Sequence, residues 1–549
     1  MKKQSSFLVI LLMLFSITSS IAQVPPNLSK DFNVTTGTPY PVVDGKVKEY
    51  FSDGKSLTVS VKVSGGRVSI QRYDFLSMKE LSSKVYEDFP EYTKVQKVIK
   101  IGDKLFFIYD TFDKKDRKES VYAREINWSD GTFKEPKLLF TTTAEVSISS
   151  YFEGGSTFFD IVGIRFEVYS SFDNTKLLIR YRTKPKVKDD TKSFDILGFY
   201  VFDTSLTKQW GGEVAMPYTE KEMNNLAYTV SKNGNAYMLA FILETKTIEL
   251  ITVKSDLSVK SSKLAIPDKL IFRELRLREN SDGNLSVTGY YANGIDHIVN
   301  WDGARVTSLN VDGLLQYTIA TDAKILDQVN IVFPLELINQ YESLRAKAKN
   351  EEREEKGKAG IRDLAIVNLT LNADGSTTVI GEQQFISKEH DFKAKEPLKM
   401  GVNASKNVYN YGDIIATKFD KKGVVIWQKK LPKTQTGLTG RGGMGIRVIK
   451  ANTKNYILFL DNIKNANISI DEVPDNHKDG KGGYLTAYQI DDATGKIEKH
   501  SIVDVLDIKG TEAFQFKTSR IFDATPEIFL LEIYIKDKQD TMVKLELKK

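Results

Sequence analysis

The stretch DNHKDGKGG, residues 475 to 483, resembles the first half of a calcium-binding loop. Asp475, His477 and Asp479 stand at the first, third and fifth places of a calcium-type loop. Gly480 stands at the sixth, where such loops turn sharply. The twelfth place is Thr486, which cannot supply the bidentate carboxylate that closes the shell. Asp475 and Asp479 are the metal candidates, inside what reads as a solvated turn. GLTGRGGMG, residues 437 to 445, is a second chemical possibility. Successive amides of a glycine-rich loop can converge on an anion, so Arg441 is the anion-binding candidate. No Gly-Lys-Ser/Thr follows, which excludes a P-loop.

Catalytic constellations are not visible. The four histidines, His297, His390, His477 and His500, are scattered, and neither an H-E-x-x-H pair nor a G-x-S-x-G elbow occurs. Carboxylate pairs for glycoside chemistry can be drawn from any chain with 72 acids, so no catalytic residue is nominated. There is no cysteine, which excludes disulfides, thiol catalysis, Cys-based zinc sites and a lipidated Cys. The basic run RYRTKPKVKDDTK, residues 180 to 192, reads as a solvated loop between strands.

These residues must be positioned by a repeating element. YTVSKNGNAYMLAFI, residues 228 to 242, reads as strand, Asn-Gly turn, strand. The same form recurs in KVIKIGDKLFFIYD (97–110), EVYSSFDNTKLLIRYR (167–182), LRLRENSDGNLSVTGYY (275–291), IRVIKANTKNYILFLD (446–461) and TSRIFDATPEIFLLEIY (518–534). Looser copies are VKEYFSDGKSLTVSVKV (47–63) and IVNLTLNADGSTTVIGEQQF (366–385). The second strands begin at intervals of about 67 residues. A third apolar segment often ends in Asp before a turn, as in GFYVFDTSLTKQW (198–210) and IIATKFDKKGVVIW (414–427), and a more polar fourth follows. Phe202 and Trp210 share their spacing with Phe419 and Trp427, which marks the two tryptophans as packing residues of matching repeats.

A four-stranded antiparallel sheet cannot bury both faces alone. Radial stacking of such sheets solves this, so the chain reads as all-β: a single β-propeller of four-stranded blades. Eight units are counted, or seven if the first or sixth copy is not a separate blade. The competing architecture is two or more β-sandwiches, which share the turn spacing but not the repeated strand order. The last unit stops after a third strand at VKLELKK, and DFNVTTGTPYPV (31–42) can supply the fourth. That pairing closes a propeller over residues 23–549 and hides its edge.

Residues 335–360, LELINQYESLRAKAKNEEREEKGKAG, interrupt the rhythm in the sixth unit with high helix propensity. Leu335, Ile338, Tyr341 and Leu344 fall on one apolar stripe, continued by Ala348, and are the partner-binding candidates. The charged tail beyond is expected in solvent. Residues 1–22 read as a signal peptide: Lys2 and Lys3, the apolar core FLVILLMLF, then Ser20 and Ala22 before a cut at Gln23. No later run is long enough to span a membrane. Cleavage lowers the net charge from +6 to +4, which calls for neither nucleic acid nor an anionic membrane.

The segment IIATKFDKKGVVIWQKKLP (414–432) resembles the blade signature of quinoprotein-type propellers, a strand followed by a Gly turn and a Trp. RDLAIVNLTLNADGSTTVIGEQQF (362–385) and YNYGDIIATKFDKKGVVIWQKKLPK (409–433) resemble uncharacterised exported propeller-like proteins of Bacteroidota-type bacteria. The first resemblance implies a pyrroloquinoline quinone site or an assembly-platform role. Non-enzymatic members share that repeat, so no cofactor is assigned. The second implies no established activity, and no functional residue is carried over from either. The expected function is an exported scaffold or recognition module, periplasmic, outer-surface or secreted, with a protein or glycan partner in the cell envelope. The alternative is a carbohydrate-active or other hydrolytic enzyme with acids gathered on the ring axis.

Overall fold

The computed structural model describes residues 28–148, 164–185, 193–267, 270–292, 295–299, 305–390, 405–438 and 442–548. The leader at 1–22 and Arg441 lie outside the described residues.

Eight antiparallel sheets form the ring; seven are laid out in chain order from first to fourth strand, and the eighth takes its fourth strand from the start of the chain. The first strands are Val47–Ser52, Lys94–Ile101, Glu167–Ser170, Met223–Val230, Ile271–Glu279, Leu364–Leu371, Arg447–Ala451 and Ile521–Thr525. These strands neighbour one another from blade two through blade six and from blade seven through blade eight to blade one. The fourth strand of blade eight is Phe32–Thr36, paired antiparallel with the last strand so that Phe32 faces Leu547 and Thr36 faces Val543. The count is therefore eight, and the sandwich architecture is not adopted.

Burial explains the sequence rhythm. Second strands lie between two neighbouring blades and are apolar on both faces: Leu105 through Asp110 are all buried in Lys104–Asp113. Fourth strands lie on the rim, and Lys79–Tyr86 alternates exposed with half-buried positions. One apolar cluster fills each of the eight gaps between blades. The aspartates that end third strands act as turn caps. Asp203 Oδ1 accepts the amides of Ser205 and Thr207, and Asp420 Oδ1 those of Lys422 and Val424, all at 2.9 Å. Trp210 donates to the Gly234 carbonyl at 2.8 Å and Trp427 to the Asp492 carbonyl at 3.0 Å, each reaching a turn of the following blade. Both are buried packing residues.

The irregular segments depart from the sequence reading. The helical stretch lies in the connection between blades five and six, and it forms two helices, α1 (Leu335–Asn339) and α2 (Leu344–Glu354). Tyr341 takes a left-handed φ of 66° and turns the chain between them. The expected stripe is thereby broken. Ile338 is buried in the core between blades five and six, with Leu335 and Leu337 packed against it, whereas Leu344 is 86% exposed. A second insertion, the hairpin Ile295–Val299 with Arg305–Val311, lies inside blade five and contributes to the long interval between the fifth and sixth repeats.

Candidate functional site

Strand alternation puts the connections between blades and the loops from second to third strands on one face of the ring. The helical connection from blade five to blade six belongs to this face, and so do the ends of Thr377–His390 and Val425–Leu431 in blade six. They enclose a cleft of about 530 Å³ between α2 and the ring.

The floor is a buried ionic network. The Lys430 ammonium donates to the carbonyls of Ile338 (3.0 Å) and Gln340 (2.7 Å) at the C-terminal end of α1. Cations suit that end of a helix, where carbonyls lack partners. Asp413 and Glu342 stand 3.3 and 3.5 Å from the same ammonium. Lys433 is fully buried beside Glu382 at 2.9 Å and also donates to the Tyr411 carbonyl and the Gln435 side chain. Burial pulls the Lys433 pKa down, against the attraction of Glu382. Burial pushes the Asp413 carboxyl up, and Lys430 opposes it. The Lys433 amide holds Asp413 Oδ1 at 3.0 Å, so the carboxylate is fixed in place.

The walls differ in kind. On one side α2 turns Ala346, Lys349, Asn350 and Arg353 towards the gap, positions that share one helical face. Asn350 donates to Asn339 at 2.9 Å and ties α2 to α1, and Ser343 caps α2 through the Ala346 amide at 3.2 Å. Opposite stand Arg362, stacked 4.2 Å over the Phe385 ring, and Asn410. Tyr341 closes one end, its phenol pushed up to about 12 by burial and by Asp471 and Asp413. It is therefore a neutral donor at any physiological pH.

A second cavity, of about 570 Å³, follows the axis among the first strands of blades two to six. Its lining carboxylates are Glu167 and Glu279. Glu167 is ion-paired with Arg180 and accepts the Tyr169 hydroxyl. Glu279 accepts the Lys232 amide at 2.9 and 3.1 Å. The first set of contacts lies within blade three, and the second ties blade five to blade four.

The residues singled out from sequence are dispersed. Tyr341 alone among Leu335, Ile338, Tyr341 and Leu344 combines partial exposure with a place at the cleft, where Ile338 is part of the buried lining. Asp475 is exposed, with Lys464 at 3.8 Å. Its main chain is held by Asn465, whose side chain both donates to the Asp475 carbonyl and accepts its amide. Asp479 lies against Gly437 and Gly443. His477 is buried, and burial lowers its pKa to about 4. Among the described residues, the group of three ligating side chains with donor atoms within 4.8 Å is a different one, Asp31, Glu498 and His500. There Ser29 bonds His500 Nδ1 at 2.8 Å, and Gln489 and Lys496 bond Glu498, so the group fastens the start of the closing strand to blade seven. Lys430, Lys433, Asp413 and Arg362 were not legible as site residues. In the sequence, the lysines of WQKKLPK look like those of any solvated rim strand.

The fold and this face define an eight-bladed propeller with a basic, aromatic-lined cleft beside its helical insertion. No protein-family model matches the chain, and no curated protein matches it in sequence. Similar solved structures include the polysaccharide lyase Uly1, at 10% identity and TM-score 0.39, covering 92% of this chain and 91% of that one. The WD40 domain of SCAP from fission yeast has 6% identity and TM-score 0.34 over 95% and 99% of the two chains. An oligogalacturonate lyase in complex with manganese has 9% identity and TM-score 0.32 over 94% and 99%. Likenesses this distant say nothing of what the chain binds or does. No helix among the described residues is long and apolar enough to cross a membrane.

Proposed function

We propose that this chain is an exported binding or scaffold protein that recognises a protein or glycan partner in the cell envelope. Its recognition surface is the face that carries the insertion. The observation that supports this reading is the cleft between α2 and blade six, a concave site of ligand size with convergent polar groups on a rigid floor. The hydrolytic alternative has less support, because Glu167 and Glu279 on the axis are engaged by Arg180 and by a backbone amide.

Two measurements test this. Amino-terminal sequencing of the protein recovered from its native cells should begin at Gln23; an intact Met1 would defeat the export assignment. Purified protein should be retained by envelope fractions. A variant in which a short glycine-serine linker replaces 344–354 should lose that retention while its melting temperature holds. Equal retention by both would remove the insertion face from the reading.

A further inference from the structure

We propose that a doubly charged tetrahedral oxyanion, a phosphate or sulfate group, binds between Lys48 and Arg520 at the end of the gap between blades eight and one. This site is separate from the α2 cleft and does not rest on the reading of that cleft.

Strand alternation sets the two side chains opposite one another. The first strands of blades one and eight, Val47–Ser52 and Ile521–Thr525, run side by side. Every second residue of each points into the gap between them. At one end the Ser52 hydroxyl donates to the Ala524 carbonyl at 2.9 Å. Two residues back, Tyr50 stacks on Phe522 with ring centroids 5.3 Å apart. The next pair back is Lys48 and Arg520, where first strands enter from the connections between blades. Arg520 closes the short turn Thr518–Arg520 that leads into the strand.

The acids nearby are already taken. Glu532, on the adjacent strand of blade eight, accepts Lys62 at 2.5 Å and Tyr40 at 3.0 Å through one oxygen, and Tyr50 at 2.6 Å through the other. Asp540 Oδ2 stands 3.4 Å from the same Lys62. Burial and Glu532 push the Asp540 carboxyl up, against the pull of Lys62. Three cations therefore meet two carboxylates, and both carboxylates sit on Lys62. Neither Lys48 nor Arg520 has an ion pair among the described residues. Arg520 is 6% exposed, and its Nη1 is sealed from water with no hydrogen-bond partner. A buried charge without a counter-charge is costly, and a like charge opposite adds to the cost. Burial, then Arg520 and Lys62, pull the half-buried Lys48 ammonium down to about 8, with Glu532 and Asp540 opposing.

Charge and shape give the ligand class. A monovalent ion would leave one of the two cations uncompensated, whereas a dianion neutralises both. A guanidinium matches two oxygens of a tetrahedral group with parallel N–H bonds, and an ammonium takes another as a point charge. Lys517 adds positive potential one turn before Arg520, whose amide donates to the Lys517 carbonyl at 3.1 Å. Lys48 is only half-buried, so the approach is from the mouth of the ring.

The test is titration calorimetry of the purified protein at low salt with sodium sulfate and inorganic phosphate. Chloride and acetate serve as comparison ions. One equivalent of sulfate or phosphate should bind, roughly tenfold or more tightly than either comparison ion. Arg520→Gln and Lys48→Gln should each weaken it roughly tenfold or more. Lys260→Gln, on the exposed rim of blade four, should leave it unchanged. Sulfate should raise the melting temperature of the parent and of neither site variant. Sulfate also keeps its double charge in neutral and alkaline solution, so its pH dependence reports the protein. As Lys48 discharges, the parent's affinity should fall roughly tenfold from about pH 7 to about pH 9, and Lys48→Arg should abolish that fall. This arm stands even if Arg520→Gln does not fold. Acetate binding as tightly, indifference to both substitutions, no binding of either oxyanion at millimolar concentration, or pH-independent sulfate binding by the parent would each overturn the site. So would an equal fall in the melting temperature of Arg520→Gln with and without sulfate, which would give the guanidinium to the Glu532 network alone.

Discussion

Replacing Lys430 by Met should release the helical insertion without opening the ring. The ammonium makes two charge-assisted hydrogen bonds to carbonyls of the α1 end, at 3.0 and 2.7 Å, and is 1% exposed. Methionine keeps the volume and removes the donors. Hydrogen bonds from a charged group are worth about 1.5–3 kcal/mol each, and removing one partner of a buried pair costs about 3–5 kcal/mol. Part of this cost is relieved because Asp413, whose carboxyl burial already pushes up, can take a proton. A net loss of about 3 kcal/mol, local to the insertion, corresponds to roughly 150-fold faster amide exchange there. Hydrogen exchange read by mass spectrometry should show this in peptides covering 335–354, with peptides of Lys176–Arg182 in blade three unchanged. The loosening should be smaller at pH 5 than at pH 8, since Asp413 is more readily neutral there. Unchanged exchange in the insertion would refute the pin. Equal acceleration in blade three would show that Lys430 supports the ring as a whole.

Other perturbations probe the ring itself. His477 is buried with its pKa lowered from 6.5 to about 4, so the unfolded chain binds more protons between those values. Its contribution is present above 6.5 and lost as pH falls towards 4, roughly 3 kcal/mol in all. His477→Gln should flatten that part of the stability–pH curve in urea titrations, and a parallel curve would refute the assignment. Phe32 packs edge-on to Tyr456 and His500 within the interface of blades seven and eight. Phe32→Ala should cost about 3–5 kcal/mol by urea midpoint. Removing residues through Thr36 should in addition free the last strand's edge and drive self-association on gel filtration. Gly198 gives Tyr181 its place: a Cβ there would stand 2.2 Å from the ring of a residue held between blades two and three. Gly198→Ala should lower stability by about 1–3 kcal/mol, and a neutral result in thermal melts would mean the ring can move aside.

Much of the fold is written locally. Second strands are apolar on successive residues because each is covered from both sides, and that pattern survives in LFFIYD, YILFLD and IFLLEI without knowledge of any partner. Turn aspartates act within four residues, so Asp203 and Asp420 announce their strand ends. These signals, recurring along the chain, were enough for the architecture but left the count open between seven and eight blades. The helical segment was legible as helix but not as two helices, since the break rests on one left-handed residue, Tyr341, that no propensity marks.

The sequence by itself determined the rhythm of strands, the sharp turns between them and the presence of a helix-forming interruption, because each depends on residues a few places apart. Only the tertiary structure decided which lysines are charges in the interior. Lys430 and Lys433 are buried because α1 and blade seven close over a rim strand that is solvated in other blades. Their carboxylates, Glu342, Glu382 and Asp413, come from three separate segments. The identity of a side chain does not state what will cover it, and burial sets the worth of a charge.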